Sequence, residues 1–84
     1  MTADEVKGLL EQGIEQASVE VQGEGDRFDI RVVSEAFAGM TTVRKQQMVY
    51  ACINDRIADG SIHAVSIQTY TPDELAKAQR QGLI

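Results

Sequence analysis

The chain contains one histidine and one cysteine, so few of its residues could bind a metal ion or act as a nucleophile. His63 stands at the start of the most strand-like segment, residues 62–70. At cellular pH an imidazole is mostly neutral, and it can donate from one nitrogen while it binds a metal with the other. Its position suits either a metal ligand or a histidine hydrogen-bonded to a backbone carbonyl at the edge of an element. Because no second ligand lies close in sequence, the residues alone leave both interpretations open.

The motifs of an enzyme are missing from the sequence. It has no cysteine–histidine pair close together, no Gly-x-Ser-x-Gly elbow, no Walker loop and no carboxylate pair in a recognisable catalytic context. Cys52 falls in the middle of a long predicted helix, on the side opposite its apolar stripe. We therefore expect an ordinary thiol there and a protein that is not an enzyme.

Composition limits the class of protein. Eighty-four residues, of which 43% are hydrophobic, predict a single domain over residues 1–84 with one small core. The formal net charge of −5 disfavours broad electrostatic binding to nucleic acid. The acidic first residues and the lack of a long apolar run predict neither a signal peptide nor a membrane span. The lone cysteine excludes an internal disulfide and fits a cytoplasmic location.

Capping motifs mark where the first and last helices begin. Thr-x-x-Glu capping boxes start at Thr2 and at Thr71. In the second box, Pro72 takes the first helical position with its φ already set. Apolar residues at helical spacing then predict a first helix over about residues 3–15.

The longest helix is predicted between a threonine cap, Thr41 or Thr42, and about Asp59, with Gly60 as its C-terminal stop. Its core stripe is predicted to contain Val43, Gln46, Tyr50, Ile53 and Ile57. The opposite side is predicted to carry Arg44, Lys45, Met48, Cys52, Asp55 and Asp59.

Three segments are predicted to form β-strands. Residues 17–22 and 27–33 predict a hairpin closed by a turn at residues 23–26. Residues 62–70 carry β-branched side chains on both faces, which predicts a largely buried strand, central or half-covered. The long helix before it predicts a right-handed crossover to a strand parallel to the second. With one short turn in residues 34–39, the order αββαβα predicts an α+β fold with helices packed on a three-stranded mixed sheet.

Two segments together resemble the BolA-like family. They are His63-Ala64-Val65-Ser66-Ile67, which leads into Thr69-Tyr70-Thr71-Pro72, and Arg44-Lys45-Gln46-Gln47-Met48-Val49-Tyr50. The second segment is most similar to the IbaG-type bacterial members, and the resemblance covers nearly the whole chain. It implies the same αββαβα order, which is described as similar to the type II KH fold.

The resemblance also implies a function. BolA-like proteins pair with monothiol glutaredoxins and share a [2Fe-2S] cluster with them, in iron–sulfur trafficking and iron homeostasis with a link to stress. The family's C-terminal histidine, matched by His63, ligates the cluster beside the glutaredoxin cysteine and glutathione. The isolated protein, a monomer or weak homodimer, is then expected to hold no cofactor. A hydrogen-bond acceptor for the other ring nitrogen must fix the imidazole tautomer, and we expect Ser61 or a backbone carbonyl in that role.

The loop between the first two strands is the expected contact with the partner. It contains Gly23, Glu24, Gly25, Asp26 and Arg27. Many family members offer a second cysteine or histidine there, whereas this loop offers neither, and a carboxylate is an uncommon ligand for such a cluster. Two alternatives remain: His63 is the single ligand from this chain, or the chain contacts the glutaredoxin without full coordination.

A KH-like, nucleic-acid-binding transcriptional regulator is the alternative function. Some BolA-like proteins are held to act as DNA-binding regulators, and a KH domain grips the backbone with a Gly-x-x-Gly loop. Residues 38–43 contain one glycine and no second at that spacing. Arg31, Arg44 and Lys45 would form a local basic patch if they converged in space.

Overall fold

The computed structural model describes residues 1–82 and confirms the predicted αββαβα order and the α+β class. Its elements in chain order are α1 (Ala3–Gly13), β1 (Ser18–Glu24), β2 (Arg27–Val33), a 3₁₀ turn (Glu35–Phe37), α2 (Thr42–Ala58), β3 (Ala64–Tyr70) and α3 (Pro72–Arg80). The predicted boundaries agree within about two residues, apart from the hairpin turn. There the strands extend further than expected, and the loop contracts to Gly25 and Asp26.

The sheet has the order β1-β2-β3, with β1 antiparallel and β3 parallel to the central β2. Alternate residues of β2 (Phe28, Ile30 and Val32) are buried on one face. They form one core with residues of β1, the two longer helices and the connections, namely Val6, Leu10, Ile14, Val19, Phe37, Val49, Ile53 and Ile62. The opposite face of the sheet is polar, and on it Arg31 is paired with Glu20 across the β1–β2 ladder at 3.4 Å.

The helix caps follow the sequence rules. At both Thr2 and Thr71 the threonine side chain accepts from the backbone N–H three residues on, and the glutamate there bonds back to the cap. Pro72 opens α3, and Thr41, the first of the two candidate threonines, caps α2 by accepting from the Arg44 N–H at 3.2 Å. Gly60 follows α2 with a φ of +84°, as a C-terminal stop requires. Local chemistry therefore sets where the helices start and where the longest one ends.

The prediction of a largely buried third strand is wrong in part. β3 is an edge strand, and none of its residues is fully buried. Val65 and Ile67 lie half-buried over the core, while Ala64, Ser66 and Gln68 are exposed. Ile62, which the sequence pattern assigns to the strand, is buried from the loop before it. The strand is thus half-covered and not central.

The predicted core stripe of α2 is also wrong. The helix buries Lys45, Val49 and Ile53, with Met48 and Cys52 packed against the core. Most of the predicted stripe is exposed, namely Val43, Tyr50 and Ile57. The predicted and the observed stripes share Ile53. The observed stripe includes Lys45, whose charge favours an exposed position but whose aliphatic stem can pack on apolar surface. Cys52 therefore lies on the core side of α2, not on the opposite side as predicted.

Candidate functional site

The candidate site begins with the tight β1–β2 hairpin. Gly25 and Asp26 form its two-residue loop, and Gly25 has a φ of +70°. Two residues earlier, Gly23 has a φ of +126°, and a Cβ there would lie 2.2 Å from the Arg27 carbonyl oxygen. No side chain fits at Gly23 without a shift of backbone, so the hairpin needs glycine at that position.

The hairpin loop is hydrogen-bonded to the backbone of His63, the residue that precedes β3. The Asp26 carbonyl oxygen accepts from the His63 N–H at 2.7 Å and from the Ala64 N–H at 3.1 Å. The parallel register then continues with Arg27 opposite Ala64. The peptide groups on both sides of His63 are therefore fixed by hydrogen bonds to Asp26. His63 also lies beside the loop that is predicted to contact the partner.

The imidazole of His63 is exposed, with 71% of the side-chain surface accessible. Its Nδ1 lies 3.3 Å from Asp26 Oδ2, a carboxylate that is itself half-exposed. Ser61, one expected acceptor, instead has its N–H bonded to Asp59 at 2.8 Å. The Asp26 carboxylate is thus the acidic group beside the ring. With Nδ1 beside Asp26, Nε2 is the nitrogen that remains open to a metal.

Further metal ligands are sparse around this histidine. Within residues 1–82, no group of three or more His, Cys, Asp or Glu side chains could hold a metal ion. Asp26 supplies a carboxylate beside His63. A shallow depression at the same end of the sheet is lined by Gly23, Glu24, Arg27, Ala64, Val65 and Ser66. The donor set is one imidazole with oxygen groups, which is incomplete for an iron–sulfur cluster.

Cys52 is held in the packing between α1 and α2. Its Sγ lies 3.4 Å from the Met48 carbonyl oxygen, and it leaves no room for a Cβ at Gly13 of α1. Burial raises the pKa of the Cys52 thiol, which lowers the fraction present as thiolate. This environment favours a packing role over metal binding.

The three basic residues predicted as a nucleic-acid patch do not converge. Arg31 lies on the open face of the sheet. Lys45 is buried on the covered side, and its Nζ contacts both Glu74 carboxylate oxygens at 3.0 and 3.1 Å. Arg44 is exposed at the start of α2. The condition for a joint basic patch is therefore not met, because the side chain of Lys45 turns inward to Glu74 of α3 although Lys45 is next to Arg44 in sequence.

Two side-chain contacts could not be predicted from the sequence, for different reasons. The approach of Asp26 to His63 depends on the parallel register of β2 and β3, for which no local signal exists. The contact of Lys45 with Glu74 had a partial signal, since Glu74 was already assigned to a capping box. The capping box accounts for Glu74 at the start of α3 and gives no indication that Glu74 also pairs with Lys45.

No helix in the described part of the chain is long and apolar enough to cross a bilayer.

An αββαβα domain with an exposed histidine at the start of its third strand is the arrangement that the BolA-like resemblance implies. The family model for BolA-like proteins matches residues 10–74, and the chain belongs to this family. The acid stress protein IbaG of Escherichia coli K12 is 41% identical over 80 residues, which are 95% of each chain.

Solved structures agree with the assignment. A BolA protein homologue from Coxiella burnetii superposes with a TM-score of 0.80 at 31% identity, covering 90% of this chain and 97% of its own. Yeast Fra2 superposes with a TM-score of 0.72 at 29% identity, covering 92% of this chain and 86% of its own. The match includes both the helices and the mixed sheet, so the fold class is that of the family.

Proposed function

We propose that this protein is a non-enzymatic partner of a monothiol glutaredoxin, and that the two share a [2Fe-2S] cluster to which His63 contributes the ligand from this chain. The observation that carries the proposal is the exposed imidazole of the sole histidine, with Nδ1 beside Asp26. Family membership supports it, because the BolA-like resemblance rests on the segment that begins at His63.

The residues present fit a shared cluster better than a resident one. This chain offers one nitrogen donor, and its nearby oxygen donors are poor ligands for iron–sulfur centres. The remaining ligands, which are thiolates, would come from the glutaredoxin cysteine and glutathione. A histidine in place of a thiolate raises the reduction potential of such a centre, and we expect an easily transferred cluster.

The hairpin orients the histidine for this role. The Asp26 carbonyl fixes the backbone of His63, and the Asp26 carboxylate stands next to Nδ1. A carboxylate accepting from Nδ1–H directs the Nε2 lone pair outward and makes that nitrogen a stronger donor. We assign Asp26 as a positioning residue for His63, and we place the glutaredoxin contact on Gly23, Glu24, Gly25 and Arg27 around it.

We further propose that the protein works in the cytoplasm, in iron–sulfur trafficking and iron homeostasis. A link to stress is supported by the name of one relative, an acid stress protein. A DNA-binding regulator has less support, since Lys45 is paired with Glu74 and Arg31 with Glu20. If DNA binding occurs, the affinity should fall steeply with salt concentration.

Reconstitution tests the proposal. A monothiol glutaredoxin, glutathione, iron and sulfide are combined with the wild type, with His63→Ala or with Asp26→Asn, and visible absorption and circular dichroism are recorded. The wild type should change the glutaredoxin cluster spectrum, whereas His63→Ala should not. Asp26→Asn should give the wild-type spectrum with binding weakened about 10-fold, as expected when the carboxylate beside a metal-binding histidine is lost. Identical spectra for the wild type and the glutaredoxin alone would contradict the cluster role.

A further inference from the structure

The two edges of the sheet differ in how they are protected. Proteins discourage pairing at an edge strand with charged side chains, proline or bulges, and glycine weakens a strand. The edge strand β1 carries the exposed Glu20 and Glu24 and contains Gly23, with a φ of +126°. β3 is the other edge strand, and none of its seven residues is charged, glycine or proline. The β3 edge therefore lacks the features that keep a further strand away.

The main chain of β3 points out of the sheet at alternate residues. The Ala64 N–H donates to the Asp26 carbonyl at 3.1 Å, and the Tyr70 carbonyl accepts from the Ser34 N–H at 2.9 Å. In a parallel ladder both groups of one residue face the same neighbour, so residues 64, 66, 68 and 70 bond towards β2. Residues 65, 67 and 69 direct their N–H and C=O groups to the other side, where the described chain has no neighbouring strand. Such a row of groups is complementary to another extended main chain.

The side chains along this edge alternate in polarity. Val65 and Ile67 are half-buried on the core side, whereas Ser66 and Gln68 are exposed on the other face. A strand added at this edge continues both faces of the sheet, so every second side chain lies beside Val65 and Ile67. The edge therefore favours a segment with apolar residues at alternate positions.

A groove beside the second half of β3 indicates the charge of the segment. Ile67 and Tyr70 line it from β3, and residues of α2 and α3 form its walls. Two lysines line the groove. Lys45 is paired with Glu74, whereas Lys77 is exposed and takes part in no ion pair within residues 1–82. An acidic residue of the bound segment would complement Lys77.

From these features we propose that the free edge of β3 binds an extended segment of another protein as a fourth strand, with apolar residues at alternate positions and an acidic residue beside Lys77. Nucleic acid fits less well, because Glu74 already neutralises one of the two lysines and the chain has a net charge of −5. β3 of a second copy carries no charge and would bring no carboxylate to Lys77. The proposal is independent of the cluster, because His63 does not line the groove.

Peptides selected from a random library on the immobilised full chain supply the probe, and their binding is measured by fluorescence anisotropy. In each enriched peptide, alternate N–H groups should face β3. N-methylation of those residues should weaken binding at least about 10-fold, because it removes a hydrogen bond and places a methyl group against the edge. N-methylation of the residues between them is the matched control and should change binding by less than about 2-fold, since their N–H groups face away from β3.

A substitution at Lys77 tests the charge of the segment. Lys77→Gln should weaken the binding of acidic peptides about 3-fold, as expected for an exposed ion pair. Lys7→Gln, the same change at an exposed position of α1, is the matched control and should leave binding unchanged. Equal binding to the wild type and to Lys77→Gln would contradict the acidic position in the segment.

Amide hydrogen exchange tests the free edge without a peptide. In the free protein the Val65 and Ile67 amides should exchange faster than those of Ser66 and Gln68, at least about 10-fold, and an enriched peptide should slow them. The proposal is overturned if no peptide is enriched, if N-methylation has no alternating effect, or if the Val65 and Ile67 amides are as slow as their neighbours in the free protein. Displacement of the peptide by single-stranded DNA, or by excess unlabelled chain, would assign the edge to that occupant instead.

Discussion

Near each end of β3 a basic side chain lies against a carboxylate, and the two pairs differ in their exposure to solvent. At the start of the strand His63 faces Asp26 through a single contact of 3.3 Å, with side chains 71% and 51% exposed. Just after its end Glu74 holds Lys45 through two contacts, and the lysine side chain is 10% exposed. Glu74 also accepts from the Thr71 N–H at 2.8 Å.

The difference separates a structural ion pair from an available ligand. Lys45 is nearly buried and its ammonium is paired with Glu74, so this pair links α2 to α3. The His63 ring can exchange contacts with a second protein, because only one of its nitrogens faces Asp26 and most of its surface is open. The hairpin supplies a rigid backbone there and leaves the side chain accessible, which is the arrangement a ligand for a shared metal group needs.

The largest effect on stability is expected in the backbone that makes the hairpin end rigid. Gly23→Ala forces a Cβ onto the Arg27 carbonyl at a positive φ, and we expect a loss of about 2–3 kcal/mol in the free energy of unfolding. Gly25→Ala is the matched control: its φ is also positive but its Cβ meets nothing within 4 Å, so the cost should be about 1 kcal/mol. Equal losses in urea unfolding would show that the close approach at Gly23 is not needed.

A smaller effect is expected from breaking the two carboxylate contacts. Glu74→Gln keeps a capping side chain but removes the charge opposite Lys45, and we expect a loss of about 1 kcal/mol after allowance for the solvent exposure of Glu74. Asp26→Asn, at the exposed pair, should cost less than about 0.5 kcal/mol. Both are measured by urea unfolding at neutral pH. A larger loss for Asp26→Asn than for Glu74→Gln would reverse the proposed roles of the two ends.

The smallest effect expected is a change of stability with pH at the structural end. The Thr71 N–H, and then the Lys45 ammonium, hold the pKa of Glu74 below its ordinary value of 4.5. Since the folded pKa is the lower one, the stabilisation is complete above about 4.5 and is lost as the pH falls through the folded pKa. The stability difference between the wild type and Glu74→Gln should therefore shrink from pH 7 to pH 3. A difference that stays constant over this range would show that the Glu74 charge does not stabilise the fold.

Much of the fold could be predicted because it follows from local chemistry. The threonine caps at Thr2 and Thr71, the alternation of β1 and β2, and the glycine stop at Gly60 all act within a few residues, and the structure confirms each. The crossover from β2 to β3 follows from a long helix between two strands, and it is parallel as predicted.

The errors arise where tertiary packing chooses between local alternatives. Two faces of α2 carry apolar side chains, and the buried face is the one with Val49 and Ile53. Lys45 lies on that face as well, where it pairs with Glu74 of α3. The site shows the same limit: His63 was identified from its residue type and from the family resemblance, whereas Asp26 became its neighbour only through strand register. Long-range pairing of this kind leaves no periodic signal in one sequence.

The central claim is that His63 is a ligand of a cluster shared with a glutaredoxin, and its single occurrence makes a direct test available. Growth with ¹⁵N-histidine labels one residue of this chain, and the labelled protein is combined with an unlabelled glutaredoxin, glutathione, iron and sulfide. After reduction, pulsed electron paramagnetic resonance should show a ¹⁵N hyperfine coupling typical of a directly bound imidazole. If the cluster forms in the complex but shows no such coupling, His63 is not its ligand, and the account of the hairpin end is wrong.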